Sequence, residues 1–312
     1  MNISLAEKEG FTVCEEEYTQ PGSILCAGCA AALAIRYILK VLGPKTVVVI
    51  PAGCMPNTAG GIFLAPPDFH AESKHIFRVP VMLCLFETTA ASAAGIKLGL
   101  EARGDYETTV LGYAGDGGTF DIGIQALSGV ADRNEDIIYA CYDNEAYMNT
   151  GIQRSSATPE DSWTITTTLG REGRKKNLVE IMAAHSIPYA ATAATSFPID
   201  LMQKVAKAKQ RKGTKLLHIL APCPTGWRFA ADLTIKVGQA AVESKFFPLY
   251  EVEDGEKYTI TYEPKGIPVR EYLEMQGRFS QVVKDSARLQ SVQERVDLEW
   301  ERLLTKVKAS KR

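Results

Sequence analysis

Short strand-forming runs alternate with helix-forming ones through two-thirds of this chain, and that alternation limits the possible folds more than any other feature. The runs "TVVVI" (46–50) and "VPVMLCLF" (79–86) are β-rich and apolar on both faces, as strands covered on both sides are. "AASAAGIKLGLEAR" (90–103) then reads as a helix with a small-residue face. Next come a strand at 108–116, a helix at 121–133 and a strand at 136–144. A helix at 177–187, a strand at 188–194, a helix at 198–210 and the strand "KLLHILAPC" (215–223), read as the last of the core, complete the series. Repeated βαβ units of this kind predict an α/β fold, a mainly parallel sheet with helices on both faces. The tail differs. Residues 250–262 read as a hairpin turning at Asp254-Gly255. From Val282 onward, Leu289, Val292, Val296 and Leu303 recur at helical spacing, an amphipathic helix for the chain's own core or for a partner subunit. We therefore divide the chain into a body, 1–245, and a C-terminal hairpin and helical extension, 246–312.

Partners are narrowed by charge. Net charge is −2, and no Lys/Arg stripe interleaved with aromatics occurs, which argues against nucleic acid. The start, "MNISLAEKEGFTV", lacks the basic and apolar pattern of a signal peptide, and no run reaches the roughly 18 apolar residues of a membrane span. These features read as a cytoplasmic protein without a membrane partner. Seven cysteines, an odd count, are then expected to be thiols or ligands rather than disulfides. Of the four histidines, His70, His75, His185 and His218, none is paired at metal-ligand spacing, and all are expected to be structural or at the surface.

Chemistry concentrates in "GYAGDGGTFDIGIQALSG" and "YACYDNEAYMNTG". Asp116 ends a strand between glycines that let the backbone approach a ligand. Asn144 stands 28 residues later at the end of the next strand, so the two side chains should emerge side by side. A carboxylate, an amide oxygen and a nearby backbone carbonyl suit an octahedral Mg2+ that also takes diphosphate oxygens. Gly-Asp-Gly alone is equally the sequence of a plain turn. With the strand, helix, strand and Asn that surround it, the pattern resembles the signature of the thiamine pyrophosphate enzymes. That resemblance implies Gly115, Asp116, Gly117 and Gly118 as a diphosphate loop, with Asp116, Asn144 and the Ala146 carbonyl as Mg2+ ligands. It also implies that a pyrimidine-type domain must supply the rest of the site. No second α/β series is present here, so another subunit is expected to provide it.

Cys26 and Cys29 precede a helix, whereas Cys54 and Cys223 each follow an apolar strand, and the latter two can lie on the sheet edge that carries Asp116. Four thiolates converging there suit zinc or an iron–sulfur cluster. A thioredoxin-like pair is weaker, because Cys26-Cys29 follows no clear strand. Cys14, Cys84 and Cys141 are expected to be buried or inert.

The spacing Cys26-x2-Cys29-x24-Cys54 with a distant Cys223, the Gly-Asp-Gly, and "DNEAYMNTGIQRSSATP" (143–159) resemble the β subunit of the 2-oxoacid:ferredoxin oxidoreductases. "LAPCPTGWRF" (220–229) and "EYLEMQGRF" (271–279) extend the likeness over nearly the whole chain. It implies a thiamine-diphosphate-binding fold and one [4Fe-4S] cluster on Cys26, Cys29, Cys54 and Cys223 beside the thiamine pyrophosphate. It implies that Asn149 faces the 2-oxoacid. The partners it implies are the pyrimidine-domain subunit, a ferredoxin-like iron–sulfur subunit and ferredoxin. Ala30-Ala31 after the pair, the 55–77 stretch and "FETTAA" (86–91) depart from the pyruvate pattern, and the chain as a whole is most similar to the oxalate-oxidising branch. The expected reaction is oxidation of oxalate to two CO2, with pyruvate plus coenzyme A as the alternative. A second carboxylate on the substrate would need a cationic or strong hydrogen-bonding partner, for which Arg154 is a candidate.

Overall fold

A computed structural model describes residues 14–56 and 76–310. The stretch 1–13, His70, His75 and all but the ends of 55–77 lie outside the described residues. Six strands form the parallel body: β1 (Thr46–Pro51), β2 (Val81–Cys84), β3 (Thr109–Gly115), β4 (Ile138–Asp143), β5 (Tyr189–Ala194) and β6 (Lys215–Leu220). They stand in the order β2-β1-β3-β4-β6-β5, and a hairpin of β7 (Tyr250–Glu253) and β8 (Lys257–Ile260) continues the same sheet antiparallel beyond β5. Helices α1 (Ala30–Leu42), α2 (Thr89–Ala102), α3 (Ile124–Asp132), α4 (Leu178–Ala183) and α5 (Pro198–Gln210) cover the two faces.

Side-chain alternation explains the two-sided core. Val48 and Ile50 of β1 pack with Leu111 of β3 on Ile35 and Leu39 of α1, whereas Val49 and Val110 point the other way, to Ala93 of α2 and Leu127 of α3. Burial of each such Leu or Ile contributes about 1.5–3 kcal/mol. A third core gathers α6 (Pro224–Trp227), α7 (Thr234–Glu243), α8 (Val269–Glu274), α9 (Ser280–Lys284) and α10 (Ser286–Ala309) around Trp227, Tyr272 and Phe279.

Four expectations change. The 79–86 run is the outermost strand rather than a buried one: β2 pairs only with β1, Met82 is 42% exposed and Leu85 71%. The 121–133 helix is entered through a π-helical turn, Gly117–Asp121. The 177–187 helix stops at Ala183, and Ser186 at φ 53° redirects the chain into β5. Strand β6 ends at Leu220 and is not the last in the sheet. The amphipathic tail breaks at Asp285, whose carboxylate caps α10 by accepting from the N–H groups of Ala287 and Arg288. Its apolar residues Val292, Val296, Trp300 and Leu303 are buried in this chain's own core.

The topology also locates a crevice. From β1 the chain goes out to β2 on one side, then returns to lay β3 on the other, a switch point whose carboxyl edge is the usual ligand position in such sheets. Pairings Gly115↔Tyr142 and Asp143↔Leu220 keep the carboxyl ends of β3, β4 and β6 level. Asp116, Asn144 and the loops to Cys54 and Cys223 leave the sheet along that edge.

Candidate active site

Asp116 is the first residue past β3 and is 1% exposed. Its Oδ1 accepts from the Asn144 N–H at 3.3 Å, and its Oδ2 accepts from the Ser155 hydroxyl. One terminal atom of the Asn144 carboxamide lies 2.9 Å from both Asp116 Oδ1 and the Ala146 carbonyl oxygen. With its nitrogen inward the amide donates to both. With its oxygen inward the same three atoms make an all-oxygen face of the kind Mg2+ takes. Burial and then the neighbouring Asp143 push the Asp116 carboxyl well above the usual carboxylate range, so a cation here relieves a real electrostatic cost. The residues present thus fit a divalent ion. Gly117 is required by close packing, since a Cβ there would stand 2.5 Å from the Tyr147 ring. Gly115 and Gly118 flank it, and the Phe86 and Tyr147 rings stand with centroids 6.0 Å apart beside them.

Behind this face lies a buried set of charges. Asp143 Oδ2 is 2.7 Å from His218 Nε2 and 3.3 Å from Lys175 Nζ. Against the burial that would raise it, Lys175 and then His218 hold the Asp143 carboxyl below its usual range. Lys175 also reaches Glu145 Oε1 at 2.9 Å, and Arg278 Nη2 stands 2.7 Å from Glu145 Oε2. This last contact is an ion pair by distance, without the alignment of a good hydrogen bond. Thr158 donates to the Glu145 carbonyl at 2.7 Å, and the Trp227 indole N–H donates to the Asn144 carbonyl at 2.7 Å.

All seven cysteines are free thiols. Cys29 is the residue before α1, and the Cys29 N–H donates to the Cys26 carbonyl at 3.1 Å, closing the turn. Burial raises the Cys29 thiol while the N–H groups of Ala32 and Ala31 pull it down, the usual effect of a helix start on a thiolate. Cys54 is pushed up to about 12 by burial and then by the neighbouring Cys223, Cys29 and Cys26. Cys223 accepts from the Gly226 N–H at 3.4 Å, the type of N–H to sulfur contact that tunes clusters. Among the described residues no three His, Cys, Asp or Glu side chains form a ready-made ion site. The donor chemistry fits a cluster; a finished ligand cage is not seen. Cys141 is buried, Cys84 partly so with its sulfur 3.8 Å from the Thr89 hydroxyl, and Cys14 is exposed.

Asn149 and Arg154 are both exposed on the turn that follows, which Tyr147 N–H closes by donating to the Gln153 carbonyl at 2.9 Å. Ala30 and Ala31 are buried at the start of α1. Thr88 and Thr89 of "FETTAA" open α2. His218 lies in the charged set and His185 stands 3.1 Å from the Ser128 hydroxyl, both structural contacts. Sequence reasoning missed Ser155, Lys175, Trp227 and Arg278. Lys175 alone had no signal; Ser155 stands in the "QRSS" block, and Trp227 and Arg278 end "PTGW" and "MQGR".

The sequence model described as "Thiamine pyrophosphate enzyme, C-terminal TPP binding domain" matches residues 51–219, more than half of the chain. Ketoisovalerate oxidoreductase subunit VorB of Pyrococcus furiosus is 43% identical over 311 residues, covering 95% of this chain and 95% of its own. Pyruvate synthase subunit PorB of Methanothermobacter thermautotrophicus is 46% identical over 283 residues, 88% of this chain and 94% of that protein. A solved structure, 2-oxoglutarate:ferredoxin oxidoreductase from Magnetococcus marinus with 2-oxoglutarate, coenzyme A and succinyl-CoA bound, matches with TM-score 0.56 at 23% identity over 67% of each chain. At that identity the likeness speaks for the fold alone.

Proposed function

The chain belongs to the thiamine pyrophosphate enzymes, among the β subunits of the 2-oxoacid:ferredoxin oxidoreductases, and on that premise we propose that it carries the cofactor site of such a complex. In this reading Asp116, Asn144 and the Ala146 carbonyl hold Mg2+, and the Gly115–Gly118 turn receives the diphosphate. Cys26, Cys29, Cys54 and Cys223 hold one [4Fe-4S] cluster, and Asn149 faces the substrate. When bound, the thiazolium supplies a carbon nucleophile and electron sink for loss of CO2, and the cluster a one-electron acceptor. The chain's own residues bind and orient. Ser155 occupies one Asp116 oxygen and so leaves the other for the metal face. Tyr147 and Phe86 wall the glycine turn. A pyrimidine-domain subunit, a ferredoxin-like subunit and ferredoxin complete the assembly, and the 246–312 segment acts as an extension bracing the 1–245 body.

The observation that carries this reading is the oxygen face of Asp116, Asn144 and Ala146 at the carboxyl edge of the sheet. For substrate, our first reading is a 2-oxo monocarboxylate oxidised with coenzyme A, with which relatives named for ketoisovalerate and pyruvate at 43% and 46% identity are consistent. Oxalate is the second reading, favoured by the Ala30-Ala31 and "FETTAA" departures. Arg154, whose guanidinium has no ion pair among the described residues, is our candidate for a substrate carboxylate. The test is viologen reduction by the anaerobically purified native complex. Pyruvate, 3-methyl-2-oxobutanoate and oxalate are each offered with and without coenzyme A. Reduction by a monocarboxylate only with coenzyme A supports the first reading, and reduction by oxalate alone the second. A complex that reduces viologen with none of them, nor with 2-oxoglutarate, refutes the proposed reaction.

A further inference from the structure

We propose that Arg278 is a positioning residue that locks the metal-face turn to the Cys223 turn; the inference rests on the cofactor reading above. Arg278 lies in the short helical turn Gly277–Phe279, 3% exposed and 134 residues from Asn144 in sequence. Its guanidinium touches one side chain from each turn. Nη2 stands 2.7 Å from Glu145 Oε2, and the guanidinium carbon lies 3.7 Å from the centre of the Trp227 ring. The chain around it holds two further contacts: Nε donates to Gln276 Oε1 at 2.8 Å, and Nη2 also donates to the Tyr272 hydroxyl at 3.2 Å.

Both contacts lead directly to the proposed cofactor ligands. Glu145 sits between Asn144 and Ala146 at φ 65°, a left-handed conformation that a residue with a side chain adopts only when its surroundings impose it. That φ sets the direction of the Ala146 carbonyl relative to the Asn144 side chain. Lys175 holds one oxygen of Glu145 and Arg278 the other. Trp227, for its part, donates its indole N–H to the Asn144 carbonyl, while its backbone N–H donates to the Cys223 carbonyl at 2.9 Å. A single side chain from the C-terminal extension thus fixes the register between the two turns. Outer-shell partners of this kind typically change metal affinity by about 10–100-fold when removed.

The experiment is a Mg2+ titration of thiamine pyrophosphate binding, read by tryptophan fluorescence in the purified complex, for wild type, Arg278→Met, Arg278→Lys and Asp116→Ala. Arg278→Met is expected to raise the Mg2+ midpoint about ten-fold or more. The lysine variant, which keeps the charge but loses the flat stack, should fall between it and wild type. KM for the 2-oxoacid should stay within about two-fold while kcat falls. A wild-type midpoint in Arg278→Met, alongside loss of binding in Asp116→Ala, overturns the inference and leaves the cofactor reading standing. An unmoved midpoint in Asp116→Ala refutes the cofactor reading itself. Should Arg278→Met fail to assemble, Glu145→Gln carries the same test from the other side of the ion pair, with the same shift expected and an unmoved midpoint equally fatal.

Discussion

Gly28, between the cysteines of the N-terminal pair, has φ +72° and no room for a side chain: a Cβ would stand 2.4 Å from the Ala231 carbonyl oxygen. The Thr234 hydroxyl donates to the Gly28 carbonyl at 2.8 Å, so the pair is docked on the segment that leads into α7. Gly28→Ala should cost about 1–2 kcal/mol for the left-handed backbone alone, with the overlap in addition. Lowered iron content per chain, with the protein still folded by circular dichroism, is the expected result. Asp116→Ala should abolish Mg2+-dependent thiamine pyrophosphate binding and leave the brown colour of the complex. Cys54→Ala should do the reverse, lowering the iron content by about one cluster per copy of this chain while the cofactor still titrates. Asp116 and Cys54 stood out in the sequence because each follows an apolar strand, whereas Gly28 did not. Lys175 was not legible. A lysine in "GRKKN" looks like any surface residue until a fold buries its partners.

Between β4 and α4 the chain runs more than thirty residues with hardly any regular structure, and α10 pins that segment. Arg288 and Arg295 donate to the two oxygens of Asp161 at 2.8 and 2.7 Å. Against the burial that would raise it, Arg288 and then Arg295 hold the Asp161 carboxyl below its usual range. A depressed carboxyl contributes stability that is fully present above its unfolded pKa of about 3.9 and fades as pH falls below that. Hydrogen exchange across 159–171, corrected for the intrinsic rate, should therefore accelerate as pH drops below about 4. In Asp161→Asn it should already be fast at pH 7. At this scale most elements were readable from apolar period, and α5 matched its 198–210 reading to the residue. The failures had physical causes. Apolar content cannot tell a covered strand from an edge strand such as β2, and a π-helical turn has no sequence period of its own.

Seen whole, the molecule depends on its last seventy residues more than their appended position suggests. Val292, Val296, Trp300 and Leu303 are buried, and at about 1.5–3 kcal/mol each their loss alone would rival the 5–15 kcal/mol by which domains are stable. A chain ended after residue 245 should give no cooperative thermal transition and bind no Mg2+-thiamine pyrophosphate. The opposite edge makes a different demand. Among the described residues Met82 of β2 and Leu85 just past it are exposed, and apolar edges of that kind invite association. By light scattering, the subunit purified alone should form larger species that Met82→Lys reduces. It should also show no substrate-dependent reduction until a pyrimidine-domain subunit is added. The place of Arg278 far downstream of the residues it touches bears on how the protein is made. On the ribosome the Glu145 turn and the Trp227 turn are both synthesised before the side chain that touches the two of them. A nascent chain that has reached Trp227 but not Arg278 therefore has both turns without the contact between them.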